Sequence, residues 1–345
     1  MTLRRLLPQP SRIGETRPYC GERKRSLPVI DMPLDELRKY KGINPKLPDF
    51  NAYWEVALRE MRAVDPQVRI EKADYQLPGV ECYHLYFTGV KGARIHAQYV
   101  RPAKSDGPAP AVVLFHGYSA NAGDWSEKLG YASLGFHVFA MDCRGQGGKS
   151  EDVGGTIGNT LQGHIIRGVD GDPHNMLFRH IFLDAVQLTG IAMDLPEVDE
   201  NRVGVTGWSQ GGGITLACAA LEPRIRRAAP VYPFLSDYRR VWEMDLARNA
   251  YEELRLYFRR FDPQHEREEE LFAKLGYIDV HHLASRIQAE VLMGIGLMDE
   301  ICPPSTQFAA YNAISSPKRL EIFPDFGHEG LPGMHDKIVQ FMLGL

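Results

Sequence analysis

The chain has 345 residues, 44% of them hydrophobic and 24% charged, which is enough apolar content for one large or two small globular domains. Its formal net charge of -4 and its sequence pI of about 6.3 do not suggest a nucleic-acid or anionic-membrane partner. Five scattered cysteines without a CxxC pair argue against a disulfide framework or a zinc site, and no apolar run is long enough to predict a membrane span.

The first 31 residues differ in composition from the rest of the chain. They contain seven Lys or Arg against three acids, and they lack the apolar stretch of a secretory signal. We therefore predict that residues 1–31 are a disordered N-terminal extension, with translation from an upstream start or a targeting segment as alternatives. Because the composition changes at Met32, we expect a single α/β domain over residues 32–345.

From Met32 onward, helical and strand patterns alternate along the chain. The helical patterns lie at residues 34–40, 50–64, 180–195, 304–314 and 334–343. The strand patterns lie at residues 92–102, 111–118, 134–147, 201–207, 226–233, 290–299 and 318–324. This alternation predicts an α/β fold with a mostly parallel central sheet and helices on both faces.

A helical, charged and aromatic segment near residues 237–275 interrupts the alternation between two strands. We interpret it as an insertion over one end of the sheet. Ligands bind at the carboxyl ends of the strands in this fold class, so such an insertion would shape a substrate entrance. The alternative is a helical excursion packed on the side of the domain.

Ser209 occupies a predicted strand-to-helix turn in the stretch GVTGWSQGGG. A G-x-S-x-G turn in this setting holds a serine in a strained conformation with its hydroxyl exposed above the sheet, as a nucleophile requires. Gly207 and Gly211 leave room for strand and helix to approach closely. The helix also directs its N-terminal amides at the place where negative charge would develop. The alternative is a glycine-rich turn with an incidental serine.

A serine nucleophile needs a base and an acid partner, and the chain offers both in the order Ser, Asp, His. Asp299 directly follows the strand EVLMGIGLM, and His328 follows the strand KRLEIFP. Each lies where the loops at the carboxyl ends of the strands converge. A helix-capping role for Asp299 and an ordinary loop role for His328 are the alternatives. Glu300 would replace Asp299 as the acid, ahead of Asp325.

An acyl transfer also needs two donors for the oxyanion. One should be the backbone N–H of Gln210, the residue after the nucleophile. The second should come from the loop after an early strand, and FHGYSAN at residues 115–121 supplies the N–H of Tyr118. A simple strand exit is the alternative for this loop.

The remaining histidines do not form a metal site. His281 and His282 are adjacent, and His164, His174 and His180 lack metal-ligand spacing. We interpret all five as core or surface residues.

With these residues in place, the chain resembles the acetyl xylan esterase and cephalosporin C deacetylase family, carbohydrate esterase family 7, of the α/β-hydrolase superfamily. The resemblance rests on RGQ at residues 144–146, GxSQG at 207–211 and HE at 328–329, and it extends from Met32 to the end of the chain. It implies an α/β-hydrolase fold and a cytoplasmic enzyme without a cofactor. Its expected substrates are small acetylated sugars, xylo-oligosaccharides or cephalosporin C, and hexamers are its expected assembly.

The resemblance implies the same site residues as the chemistry does. Ser209 is the expected nucleophile, Asp299 the acid and His328 the base. The amides of Tyr118 and Gln210 are the expected oxyanion donors.

Two further residues come from the resemblance alone. It implies that Arg144 and Gln146 brace the site through hydrogen bonds, with a solvated turn as the alternative.

Three features depart from the family pattern. Trp208 stands where glycine is common, residues 172–182 lack a tyrosine-rich run, and the first 31 residues match no part of the family. Trp208 either alters the pocket or packs behind the turn. Two other functions stay open: a serine peptidase of the prolyl-oligopeptidase type, and a non-catalytic binding module. The first usually carries an N-terminal propeller, for which about 110 residues before the first core strand are too few.

Overall fold

A nine-stranded sheet in the order β1-β2-β3-β5-β4-β6-β7-β8-β9 forms the centre of the computed structural model, which describes residues 30–153 and 160–345. The strands are β1 (Arg69–Lys72), β2 (Val80–Thr88), β3 (Arg94–Pro102), β4 (Ala109–Phe115), β5 (His137–Met141), β6 (Val198–Trp208), β7 (Arg227–Val231), β8 (Glu290–Gly296) and β9 (Lys318–Phe323). The α-helices are α1 (Leu34–Leu37), α2 (Phe50–Arg62), α3 (Leu129–Ser133), α4 (Leu177–Asp194), α5 (Gln210–Leu221), α6 (Tyr238–Glu243), α7 (Glu252–Phe261), α8 (Glu268–Leu275), α9 (Val280–Leu283), α10 (Pro304–Ala313) and α11 (Met334–Met342).

The sheet is mostly parallel. Strands β5, β4, β6, β7, β8 and β9 pair in parallel, whereas β1, β2 and β3 are antiparallel to one another and β3 joins β5 antiparallel. Helices cover both faces, so the predicted fold class is confirmed. The parallel strands end at a common edge, and this edge carries the loops on which the predicted site residues lie.

The sequence patterns did not predict β1 and β2. Every residue of β1 is exposed, and along β2 fully buried residues alternate irregularly with half-buried ones. Neither strand therefore shows the apolar period that marks a strand with one buried face. They are held by pairing with β3, which is a tertiary contact.

Two apolar layers enclose the sheet. Helices α2, α4, α5, α9 and α10 pack on one face, and the shorter α3 and α11 pack on the other. Helix α5 is buried along its whole length, which explains why its sequence is apolar all round and has no polar face. This burial fixes the helix whose first residue follows Ser209.

Helices α6, α7 and α8 lie between β7 and β8, which confirms a helical insertion near residues 237–275. In α7, Leu254, Tyr257 and Phe258 are buried while its two terminal arginines are exposed. Just before α7, the hydroxyl of Tyr251 accepts a hydrogen bond of 3.1 Å from the N–H of Leu235, which lies just past β7. The insertion therefore contacts the carboxyl end of a central strand, as the first of our two interpretations expects.

A buried carboxylate ties the start of the insertion to the N-terminal part of the domain. Asp237 accepts hydrogen bonds from the Tyr40 hydroxyl at 2.7 Å and from the N–H groups of Ile43 and Asn44 at 3.0 and 2.8 Å. It has a φ of 52°, an uncommon conformation that these contacts stabilise.

Most of the predicted N-terminal extension lies outside the described residues. Of residues 1–31, the structure describes Ile30 and Asp31. The Asp31 carboxylate accepts hydrogen bonds from Arg240 and from the N–H of Ser305, both at 2.7 Å. Across residues 30–153 and 160–345, no helix combines the length and apolarity that crossing a bilayer demands.

Trp54 generates a prediction about this scaffold. It is fully buried in α2, and its indole N–H donates to the carbonyl of Tyr277 at 3.0 Å. Trp54→Phe leaves that carbonyl unpaired in the core, so we expect the free energy of unfolding to fall by about 1–3 kcal/mol. Urea denaturation measures it, with Val56→Ala on the same helix as the control because Val56 is 40% exposed. Equal stability of the two variants would contradict the prediction.

Candidate active site

Ser209 lies at a sharp turn between β6 and α5. Its backbone has φ 58° and ψ -118°, a conformation that a residue with a side chain rarely adopts. A Cβ on Gly207 would lie 2.6 Å from the carbonyl carbon of Gly211 and 2.7 Å from the carbonyl oxygen of Phe115. A Cβ on Gly211 would collide with the same Phe115 carbonyl. Both glycines are therefore needed for β4, β6 and α5 to meet at the serine.

His328 links the serine to the acid. It lies in the loop between β9 and α11, with its Nε2 2.9 Å from the Oγ of Ser209 and its Nδ1 2.9 Å from an Oδ of Asp299. Because the carboxylate only accepts, Nδ1 carries the proton and Nε2 accepts from the serine hydroxyl. The structure thus brings together three side chains that lie 119 and 29 residues apart in sequence.

Asp299 is completely buried at the end of β8. One carboxylate oxygen accepts from the N–H groups of Ile301 and Cys302 at 2.9 and 2.7 Å, while the other faces His328 and the Gln307 side chain. The turn-stabilising role and the role as histidine partner are therefore filled by the same side chain. The other two carboxylates considered from the sequence, Glu300 and Asp325, are exposed.

Gln146 connects the two loops that carry the predicted oxyanion donors. Its side-chain oxygen accepts from the N–H of Ser119 at 2.9 Å, and its amide lies 3.0 Å from the side-chain amide of Gln210. The Gln210 side chain also reaches the carbonyl of Gly117 at 3.4 Å. Gln146 and Gln210 are fully buried, so these contacts are not shared with solvent. The backbone on either side of Ser209 is therefore cross-linked through one glutamine pair.

Arg144 acts on the same loop from further away. Its fully buried guanidinium makes a bidentate pair with Asp184 of α4 at 2.6 and 2.7 Å and also donates to the carbonyl of Val90. No hydrogen bond joins Arg144 to the three residues of the Ser–His–Asp chain within the described ranges. It fixes the loop after β5 to α4, and the alternative of a solvated turn is wrong for both Arg144 and Gln146.

Trp208 packs behind the turn. Its ring makes an edge contact with Tyr232 at a centroid distance of 5.4 Å, and Tyr232 lies 4.4 Å from the ring of His328. On its other side Trp208 lines a cavity of about 440 Å³ between the sheet, α3 and α11, which neither Ser209 nor His328 lines. Of the two interpretations of Trp208, the structure therefore shows packing against the aromatic residue that supports the histidine.

Tyr232 was not found from the sequence. It follows β7 with a φ of 30°, which is unusual for a tyrosine and is found at constrained sites. Tyr232 lies in the RRAAPVYP run, which we assigned to a strand, and no spacing rule marks its ring as a neighbour of His328. The signal is conformational and appears only in the folded chain.

Two groups of side chains in the described ranges have atoms close enough to hold a metal ion. One is Asp299, Cys302 and His328, which overlaps the Ser–His–Asp chain. The other is Asp279, His281 and His282, where His281 Nδ1 lies 2.6 Å from Asp279 and His282 Nε2 lies 3.1 Å from a backbone carbonyl. Both histidines are buried, and these nitrogens are hydrogen-bonded within the protein, as our interpretation of core residues expects.

Comparison with known proteins places nearly the whole chain in one group. A sequence model of the acetyl xylan esterase family matches residues 27–345, so the match begins before Met32. The crystal structure of acetyl xylan esterase 1 from Thermoanaerobacterium sp. JW/SL YS485 is 62% identical with a TM-score of 0.89, covering 91% of this chain and 99% of that one. An acetyl xylan esterase from Paenibacillus sp. R4 is 37% identical with a TM-score of 0.85 and the same coverage.

More distant relatives share only part of their length or only their fold. Acetyl esterase Axe7A of Xylanibacter ruminicola is 28% identical over 295 residues, which are 84% of this chain and 64% of that protein. The bis(hydroxyethyl) terephthalate hydrolase of Streptomyces coelicolor is 29% identical over 48% of this chain and 45% of its own length. This chain thus spans less than two thirds of either relative. The Pyrococcus horikoshii acylaminoacyl peptidase, with 19% identity, a TM-score of 0.55 and coverage of 78% of this chain and 41% of that one, is similar in fold alone.

Gly211 yields a prediction about the turn. Gly211→Ala sets a methyl group against a backbone carbonyl, which cannot move aside as a flexible side chain would. We expect a loss of about 1–3 kcal/mol of folding free energy or more, measured by thermal denaturation. Gly130→Ala is the control, because Gly130 is exposed in α3 and a Cβ there meets no atom within 4 Å. A Gly211→Ala protein as stable as the Gly130→Ala protein would show that the close approach is not required.

Gln146 yields a second prediction. Gln146→Ala removes the partner of the Ser119 N–H and of the Gln210 side chain, so both loops beside Ser209 lose a constraint. We expect the rate of labelling by a serine-directed fluorophosphonate to fall about tenfold, since the loss of one oxyanion donor costs about 100-fold or more and a displaced donor costs less. The exposed Gln340→Ala on α11 is the control. Unchanged labelling of the Gln146→Ala protein would refute the bracing role.

Proposed function

We propose a function from one premise: the chain belongs to the acetyl xylan esterase family. On that premise the protein is a carboxylic ester hydrolase, a serine esterase that removes acetyl groups by way of an acetyl-enzyme on Ser209. The observation that carries the proposal is the continuous hydrogen-bonded chain from Ser209 through His328 to Asp299, with both links at 2.9 Å. The names of the similar structures, which are acetyl xylan esterases, support the acetyl group as the acyl part.

The first half of the reaction forms the acetyl-enzyme. His328 Nε2 takes the hydroxyl proton as the Oγ of Ser209 attacks the acetyl carbonyl carbon, and the carbonyl oxygen becomes an oxyanion. Asp299 keeps the imidazole in the correct tautomer and stabilises the imidazolium. The tetrahedral intermediate then expels the sugar alcohol oxygen, which receives the proton from His328.

The second half frees the enzyme. Water gives a proton to His328 Nε2 and attacks the acetyl carbonyl carbon, so that a second oxyanion forms. The bond to Ser209 Oγ breaks, the serine recovers its proton from His328, and acetate leaves. The atoms balance with one ester and one water consumed, and one alcohol and one acetic acid produced.

The backbone amides of Tyr118 and Gln210 are the proposed oxyanion donors. Gln210 begins α5, so its N–H also adds the positive end of a helix that is 12 residues long. Gln146 braces the loops that carry both donors, and Arg144 and Gly211 support the same geometry from behind. Each donor is worth roughly 3 kcal/mol of transition-state stabilisation when it is correctly placed.

The finer parts of the proposal rest on the family resemblance. The proposed substrates are small acetylated sugars, xylo-oligosaccharides or cephalosporin C, and no cofactor takes part in the chemistry. A cytoplasmic location and a homo-oligomer, a hexamer by resemblance, belong to the same proposal. So does the division of the chain into an extension over residues 1–31 and one hydrolase domain over 32–345, whose contacts across the single sheet support one unit.

Ser209→Ala tests the proposal. The variant lacks the attacking oxygen, so hydrolysis of p-nitrophenyl acetate should fall by about 10⁴-fold or more, to the rate that binding alone supports. The assay measures release of p-nitrophenolate by purified wild-type protein and variant under identical conditions. Ser126→Ala, at an exposed serine, is the matched control and should keep the wild-type rate.

A substrate panel separates the alternatives in the same experiment. We expect turnover of acetylated xylo-oligosaccharides and cephalosporin C and none of an aminopeptidase substrate. Peptide cleavage without ester cleavage would favour the peptidase. A wild-type protein that neither hydrolyses esters nor accepts a fluorophosphonate would favour the non-catalytic module.

A further inference from the structure

Glu253 of the helical insertion contacts the loop that carries a proposed oxyanion donor. One of its carboxylate oxygens accepts a short hydrogen bond from the hydroxyl of Tyr118. The other accepts from the N–H groups of Ile165 and Ile166 at 2.7 and 3.0 Å. Only 4% of Glu253 is exposed. A carboxylate with this burial and three donors is a fixed anchor, since its acceptor sites are filled by the protein.

The side chain of Tyr118 is held on more than one side. Its hydroxyl also lies 3.4 Å from the N–H of His164, and its ring packs against the rings of His164 and Phe234 at centroid distances of 4.8 and 5.8 Å. Phe234 in turn donates its N–H to the carbonyl of Ser209 at 3.0 Å. The phenol is therefore embedded between the insertion, residues 164–166 and the backbone beside the nucleophile.

The residue after Tyr118 shows why the loop needs an anchor. Ser119 has a φ of 58°, which costs a non-glycine residue of the order of 1 kcal/mol and persists only where the surroundings fix it. Its N–H is bound to Gln146, and its hydroxyl lies 3.2 Å from Nε2 of His164. Gln146 thus holds the loop from the backbone side, and Glu253 is placed to hold it from the side-chain side.

We propose that Glu253 is a positioning residue for the esterase reaction: it holds the Tyr118 side chain so that the Tyr118 amide stays aimed at the oxyanion. The inference rests on the proposed function, and it assigns a role to the insertion beyond shaping an entrance. The insertion supplies one of the two clamps on the oxyanion loop, so the site is complete only when α7 is seated. Glu253 touches no reacting atom and acts through Tyr118.

The charge state of Glu253 suits this role. Burial raises the pKa of the Glu253 carboxyl above its usual range, and the hydrogen bonds from Tyr118 and from the two isoleucine amides oppose that rise. Burial also raises the pKa of the Tyr118 phenol, and the neighbouring carboxylate raises it further, so the phenol stays a donor. A glutamine at position 253 would face three donors with a single acceptor oxygen.

Kinetics of two single variants and the double variant test the proposal. We expect Glu253→Gln and Tyr118→Phe each to lower kcat for p-nitrophenyl acetate about tenfold with KM within twofold, because the donor acts in the transition state. The double variant should lose no more than either single variant, since both changes delete one contact. Glu252→Gln on the same helix is the matched control; its side chain is 39% exposed and pairs with Arg255. It should keep the wild-type kcat.

A boronic acid provides the readout that a merely structural role would not move. Phenylboronic acid forms a tetrahedral adduct with an active serine, so its inhibition constant should rise by the factor by which kcat/KM falls. A lower kcat with an unchanged boronate constant would overturn the proposal, and so would wild-type kinetics in Glu253→Gln or Tyr118→Phe. If Glu253→Gln fails to fold, Tyr118→Phe, which keeps both the ring and the carboxylate, decides alone. A wild-type protein without esterase activity would instead refute the proposed function.

Discussion

The close approach of three backbone segments at Ser209 is the constraint on which the rest of the site depends. Strand β4, strand β6 and the start of α5 meet so closely that Gly207 and Gly211 have no room for a Cβ. This contact forces the serine to a positive φ and lifts its hydroxyl above the sheet edge. The parallel order of β6, β7, β8 and β9 then brings the loops after β8 and β9 to the same edge. Asp299 and His328 reach the serine because the sheet places their loops there.

The electrostatics of the site follow from burial. Asp299 is removed from water but has each oxygen occupied, one by two backbone amides and one by His328 and Gln307. A buried carboxylate is costly unless it is hydrogen-bonded in this way, and once satisfied it fixes the orientation of its partner. The Arg144–Asp184 pair and the Gln146–Gln210 pair apply the same principle further out. Rigid polar contacts thus extend from the nucleophile to α4.

Much of this architecture was predictable, and the reason is local periodicity. The buried strands from β3 to β9 and the helices α4, α10 and α11 carry apolar patterns that local rules detect. The order Ser209, Asp299, His328 was predictable because each residue directly follows a buried strand. β1 and β2 lack such a pattern and depend on pairing. Tyr232 and Glu253 reach the site through contacts between distant segments, which neither spacing nor composition encodes in a single sequence.

The most direct test of the central claim is to find where the acetyl group resides during turnover. Wild-type protein mixed with excess p-nitrophenyl acetate is quenched in acid within milliseconds, digested and mapped by mass spectrometry. The account predicts one acetylated peptide with the modification on Ser209, and no such peptide from a His328→Ala protein. Turnover without any covalent acetyl group, or with the acetyl group on another residue, would contradict it.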